Sequence, residues 1–158
     1  MDAPLREAPL EPNRTRALSA EAVRRLPAGE AFQVEVAGTS MEPTLVAGDS
    51  CHALRGQDAL LGDLVVVDLP GAGLVVHRLL WRGRAGMRTR GDGSGLMDPP
   101  LQRGALLGRV VRVDRSGREV TPSAARRRVG WLVHFAAACR HRLARRLGVA
   151  SAGGGPAT

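Results

Sequence analysis

Apolar and polar residues alternate from Phe32 to Val36, the period-two pattern of a half-buried strand. Leu64 to Leu69 is a Val-rich run closed by Pro70-Gly71, and Leu74 to Trp81 is another. Pro70-Gly71-Ala72-Gly73 lies between them, which predicts a hairpin. Met87 to Arg90 predicts a short strand. Ala105 to Asp114 predicts a long one, with Leu107, Val111 and Val113 among its apolar positions. Gly38, Gly48, Gly56 and Gly62 punctuate the stretch between the first two predicted strands. Short strands at this spacing predict a mostly β domain over residues 31–115.

The flanks read differently. Residues 1–30 form a polar arm rich in Pro, Ala and Arg, expected to be flexible. One short helix is predicted from Ser19 to Arg25, with Ser19 as N-cap and Pro27 just past the end. Residues 116–158 form an Arg-rich tail. Over about 124–147 the apolar positions Val129, Leu132, Ala136, Cys139, Leu143 and Leu147 step by three and four, one stripe of an amphipathic helix. Gly153-Gly154-Gly155-Pro156 predicts a disordered end.

Composition sharpens this picture at a few points. Aromatics are only 3% of the 158 residues and Tyr is absent, so the core must rest on Val, Leu and Ala. The formal net charge of +8 is uneven. Up to Asp114, 14 Arg balance 14 acids, whereas the remainder holds 9 Arg against Glu119 alone. A basic tail suits an anionic membrane surface or a nucleic acid. All 23 basic residues are Arg, which cannot surrender a proton, so any general base must be His, Asp, Glu or Cys. Cys51 and Cys139 make neither a disulfide framework nor a zinc pattern, and are expected to be buried small side chains. No metal site or cofactor motif is readable. The first 25 residues carry Pro4, Pro9, Pro12 and several charges, unlike a signal peptide. No run approaches the roughly 20 apolar residues of a transmembrane helix.

The densest chemical signal is Val36-Ala37-Gly38-Thr39-Ser40-Met41-Glu42-Pro43-Thr44-Leu45, followed by Gly48-Asp49. A strand ends, Gly38 permits a sharp turn, and Ser40 is presented on it. Such a serine can have an exposed hydroxyl, and its own backbone N–H can help to bind an oxyanion.

This string resembles the nucleophile box of type I signal peptidases, and the resemblance continues in order. Gly62-Asp63-Leu64-Val65-Val66-Val67 is similar to the strand that follows. Val75-Val76-His77-Arg78-Leu79 is similar to the base-bearing strand, and Gly91-Asp92-Gly93 with Asp98-Pro99 to the box after it. Leu107-Gly108-Arg109-Val110 is similar to the closing strand. The likeness spans about Phe32 to Val113. It implies a signal-peptidase or LexA-like β catalytic domain. Most bacterial members, and the LexA-like self-cleaving repressors, have Lys where this chain has His77. The endoplasmic-reticulum type has His.

The resemblance therefore implies Ser40 as nucleophile and His77 as base. Either Asp98 or Asp92 would partner His77, Asp98 being favoured and Asp92 bracing the site. Gly38, Thr39, Met41 and Pro43 would lie along the substrate and oxyanion site. Some members have Ser where this chain has Gly38, and their hydroxyl helps the oxyanion hole. His52, His134 and His141 fall outside the boxes. The implied substrate is a preprotein or leader peptide, bound as an added strand and cut after small residues.

Relatives usually carry a membrane anchor before the nucleophile box. Here the expectation is peripheral membrane association, through residues 124–147 on anionic lipid or through a membrane-anchoring partner, or else a cytoplasmic leader-trimming enzyme. Two other readings compete. A LexA-like self-cleaving regulator would use Ala28-Gly29, only about 12 residues before Ser40, a short tether. An inactive β module with a nucleic-acid-binding tail is disfavoured by the scarcity of aromatics for base stacking.

Overall fold

The computed structural model describes residues 19–56 and 58–120, together with Leu132 and Ala136. Ser19 caps a helix, α1 (Ala20–Arg25), by accepting the Ala22 N–H on its hydroxyl. Among the described residues seven strands follow: β1 (Ala31–Glu35), β2 (Ser50–Arg55), β3 (Leu64–Leu69), β4 (Gly73–Gly83), β5 (Gly86–Arg90), β6 (Leu106–Arg115) and β7 (Arg118–Glu119). A short 3-10 turn, Arg103–Ala105, leads into β6. All the strands join one antiparallel sheet in the order β1-β2-β6-β3-β4-β5, with β7 paired to β6. The domain is mostly β, as predicted.

The sheet is buried on both faces along β3. Leu64 and Val66 join a core with Val23, Phe32, Cys51, Ala53, Leu107 and Val113. Val65 and Val67 point the other way, into a core with Leu79, Met87, Leu101 and Leu106. Alternation in a strand sends neighbours to opposite faces, so a continuous Val run means two covered faces. Each fully buried Val contributes about 1.5–3 kcal/mol. Register shifts at His52/Ala53, Val66/Val67 and Leu79/Trp81 mark bulges, which sharpen the local twist.

Several details correct the sequence reading. Val23 is fully buried in the core, so the folded unit begins with α1 rather than at residue 31. At the other end, β7 extends the sheet past residue 115, and the Val120 N–H bonds the Val113 carbonyl. Strand β2 was not predicted at all. Cys51 is a buried free thiol, as expected. Cys139, residues 1–18 of the arm expected to be flexible, and the helix expected over about 124–147 apart from Leu132 and Ala136 lie outside the described residues. Among the described residues, no helix is long and apolar enough to cross a membrane.

Candidate active site

The loop that carries Ser40 is closed at its base by backbone pairing. Val36 N–H bonds the Asp49 carbonyl at 2.9 Å, and Gly48 N–H bonds the Val36 carbonyl at 2.8 Å. Between these points the chain turns tightly, with Glu42 N–H on the Thr39 carbonyl and Leu45 N–H on the Met41 carbonyl. The Glu42–Pro43 peptide bond is cis. Met41 and Leu45 anchor the loop by inserting into the core beside Val36 and Val23. Ser40, between strand end and anchor, remains exposed.

Asp49 locks the far end of the loop. Its side chain is almost wholly buried and accepts the Val46 N–H at 2.9 Å. Arg115, at the end of β6, donates Nε to Oδ1 at 2.8 Å and Nη2 to Oδ2 at 2.6 Å, and also reaches the Thr44 carbonyl. Hydrogen bonds from Arg115 hold the Asp49 carboxyl below the usual carboxylate range, against the opposing effect of burial.

His77 lies in β4 opposite Val65, on the face that Leu79 also shares, and is buried. Its Nε2 is 3.2 Å from Ser40 Oγ, and its Nδ1 is 2.6 Å from Asp98 Oδ2. An ionised carboxylate only accepts, so Nδ1 carries the proton in the neutral ring. Nε2 is then left with its lone pair toward the serine hydroxyl. Ser40, His77 and Asp98 thus form a continuous hydrogen-bonded chain drawn from the Ser40 loop, β4 and the segment after β5.

Asp92, the other carboxylate considered for His77, is bonded elsewhere. It takes a two-pronged bond from Arg78, with Nε to Oδ1 at 2.8 Å, and its Oδ2 also accepts the Thr44 hydroxyl. Arg78 Nη1 donates to the Gly62 carbonyl at 2.7 Å. His77 and Arg78 are chain neighbours whose side chains leave opposite faces of β4, yet both reach the segment that follows β5. That segment is further pinned to the Ser40 loop: Gly93 N–H bonds the Ser40 carbonyl at 2.8 Å, and Asp92 N–H approaches Met41 Sδ at 3.4 Å.

Of the positions expected along a substrate site, Gly38, Thr39 and Pro43 are exposed on the loop, while the Met41 side chain points into the core. Met41 can therefore serve a substrate only through its backbone. Gly38 has nothing within 4 Å of where a Cβ would stand. His52 lies apart, with Asp114 and Arg112, where β2 meets β6. The sequence reading gave no role to Arg78, Thr89 or Arg115. For Arg78 a signal existed: an Arg inside a Val/Leu strand requires a buried partner. Thr89 looks like an ordinary strand residue, and Arg115 reads as part of the basic tail.

Neither a family model nor a curated protein sequence matches the chain.

Proposed function

We propose that the chain is a serine endopeptidase of the signal-peptidase kind, in which Ser40 attacks the scissile carbonyl and His77 takes its proton. The observation that carries this reading is the alignment of His77, with Nε2 3.2 Å from Ser40 Oγ and Nδ1 2.6 Å from Asp98. A serine hydroxyl is a weak nucleophile until a base sits beside it, and a neutral imidazole is suited to that task. As the Oγ–carbon bond forms, the hydroxyl proton moves to Nε2 and the carbonyl electrons move to oxygen. Asp98 steadies the resulting imidazolium and fixes the tautomer beforehand. Collapse of the tetrahedral species expels the amine, which takes the proton from Nε2. Water then repeats the sequence on the acyl-serine. Because Gly38 has no hydroxyl, oxyanion binding falls to backbone N–H groups, that of Ser40 first.

The leader peptide would lie along β1. This strand ends the sheet, so its outer edge is open among the described residues. Glu30 and Val36 bond inward to the neighbouring strand, through Arg55 and Asp49 respectively. Alternation therefore turns the backbone groups of Ala31, Gln33 and Glu35 outward. A peptide added there would be guided toward Ser40, five residues beyond Glu35.

The test is cleavage of a preprotein with a leader ending in Ala-x-Ala, in detergent or anionic vesicles, by the wild type and by Ser40→Ala, His77→Ala and His77→Lys. Cleavage after the small residue by the wild type, lost by a factor of about 10⁴ or more in Ser40→Ala and His77→Ala, is expected. A wild type inert toward several leaders, or unaffected by Ser40→Ala, would overturn the reading.

A further inference from the structure

Resting on the peptidase reading, we infer that Thr89 is a positioning residue that holds the Asp98 carboxylate in line with His77. Thr89 is fully buried in β5, directly opposite Leu79, and so shares the sheet face of His77. Its hydroxyl lies 2.6 Å from Asp98 Oδ2, the same oxygen that His77 Nδ1 approaches at 2.6 Å. Because the carboxylate only accepts, the Thr89 proton must point at that oxygen.

Two donors on one oxygen settle a torsion that is otherwise soft. The terminal torsion of Asp is broad and roughly two-fold, so a carboxylate with one partner can swing away from it. The backbone here is already secured, since the Asp98 N–H bonds the Thr89 carbonyl at 3.0 Å and Arg88 Nη1 donates to the Asp98 carbonyl at 3.1 Å. Those bonds fix where Asp98 stands, and the Thr89 hydroxyl fixes where its carboxylate points. Residue type supports this division. Met87 and Leu79 neighbour Thr89 on a buried strand face, where Val would pack as well and bring no polar atom to satisfy. The hydroxyl is what distinguishes Thr there, and its partner is Asp98.

The test compares Thr89→Val and Thr89→Ser in the full chain. The readouts are steady-state cleavage of the leader substrate and the low-field proton resonance of His77 Nδ1–H, assigned by its loss in His77→Ala. Thr89→Val is expected to lower kcat by about tenfold or more with KM within roughly twofold, and to shift or broaden the resonance. Thr89→Ser is expected to restore both. Wild-type kcat and resonance in Thr89→Val would overturn the inference. So would a Thr89→Ser that fails to restore them while its melting temperature falls as far as that of Thr89→Val, since that marks a packing role. If the wild type cleaves no leader, the peptidase reading fails by itself and the resonance decides. A shift in Thr89→Val reversed in Thr89→Ser still supports carboxylate positioning, and an unmoved resonance removes it.

Discussion

Gly91 lies so close to Ser40 that a Cβ on it would stand 2.4 Å from the Ser40 carbonyl oxygen and 3.0 Å from the Ser40 Cβ. Backbone meets backbone here, and neither side can yield by rotating a side chain. The contact accounts for the glycine in the segment after β5, and Gly93 repeats it against the Glu42 carbonyl at 2.9 Å. Gly91→Ala should therefore displace the Ser40 loop from His77. The expected outcome is a folded protein with kcat reduced by about 10²-fold, because a misplacement near 1 Å is costly to a near-attack geometry. Steady-state kinetics beside a circular dichroism melt checks this, and near-wild-type kcat would show that the loop can move without consequence.

The two aspartates six residues apart should fail in different ways. Asp98→Asn offers an amide N–H to His77 and favours the tautomer with the proton on Nε2, which cannot accept from Ser40. Activity should fall by about 10³–10⁴-fold with little change in melting temperature. Asp92→Asn instead strips the counter-charge from Arg78, whose side chain is only 6% exposed. Leaving that guanidinium unpaired should cost about 3–5 kcal/mol. A melt of each variant beside its kcat separates the roles, and equal destabilisation by both would show that Asp98 is as structural as Asp92.

Much of this site was legible in the chain, and the parts that were not share a physical reason. Leu64–Leu69 and the hairpin after it announce themselves through local residue types, which is all that a period and a turn require. Strand β2 does not. Its inward positions, Cys51 and Ala53, are small, and its six residues include no β-branched side chain, so it is a strand because β1 and β6 flank it. Residue type alone does not separate Asp92 from Asp98 as the partner of His77, although the sequence reading favours Asp98. Only the path of the segment across the end of β4, held by Gly93 to Ser40 and by Asp98 to Thr89, assigns one to Arg78 and the other to His77. Thr89 is invisible for the same reason: nothing local distinguishes a hydroxyl that serves a carboxylate from one that fills a strand.

Cys51 offers a check on the core that is independent of catalysis. Burial, reinforced by the negative charge of Asp49, pushes its thiol up to about 12. The thiolate is the reactive species, so the native protein should resist alkylation near pH 8. In a Cys139→Ser background, iodoacetamide should label Cys51 only after denaturant is added, as followed by intact mass. Rapid labelling of the native chain would mean that β2 opens readily from the sheet.

Asp49 should make stability depend on acid in a defined direction. Its carboxyl is held below its ordinary value of 3.8 chiefly by hydrogen bonds from Arg115, so the folded state binds its proton less readily than the unfolded state does. The stabilisation is fully present above the unfolded value and is lost as pH falls through the lower folded value. Asp49→Asn removes the charge at every pH. At pH 7 the variant should be less stable by about 1–2 kcal/mol, the low end for a charged hydrogen bond, because solvent partly screens Arg115. Below about pH 4 the carboxyl of the unfolded chain begins to bind protons while the folded one still resists them, so the advantage shrinks and the gap should narrow. Urea midpoints for both proteins at pH 7, 5 and 3 test this. A constant gap would mean that Asp49 stabilises the loop through its shape and the Val46 bond alone. A narrowing gap would show that the charge pair with Arg115 ties the end of β6 to the loop that presents Ser40.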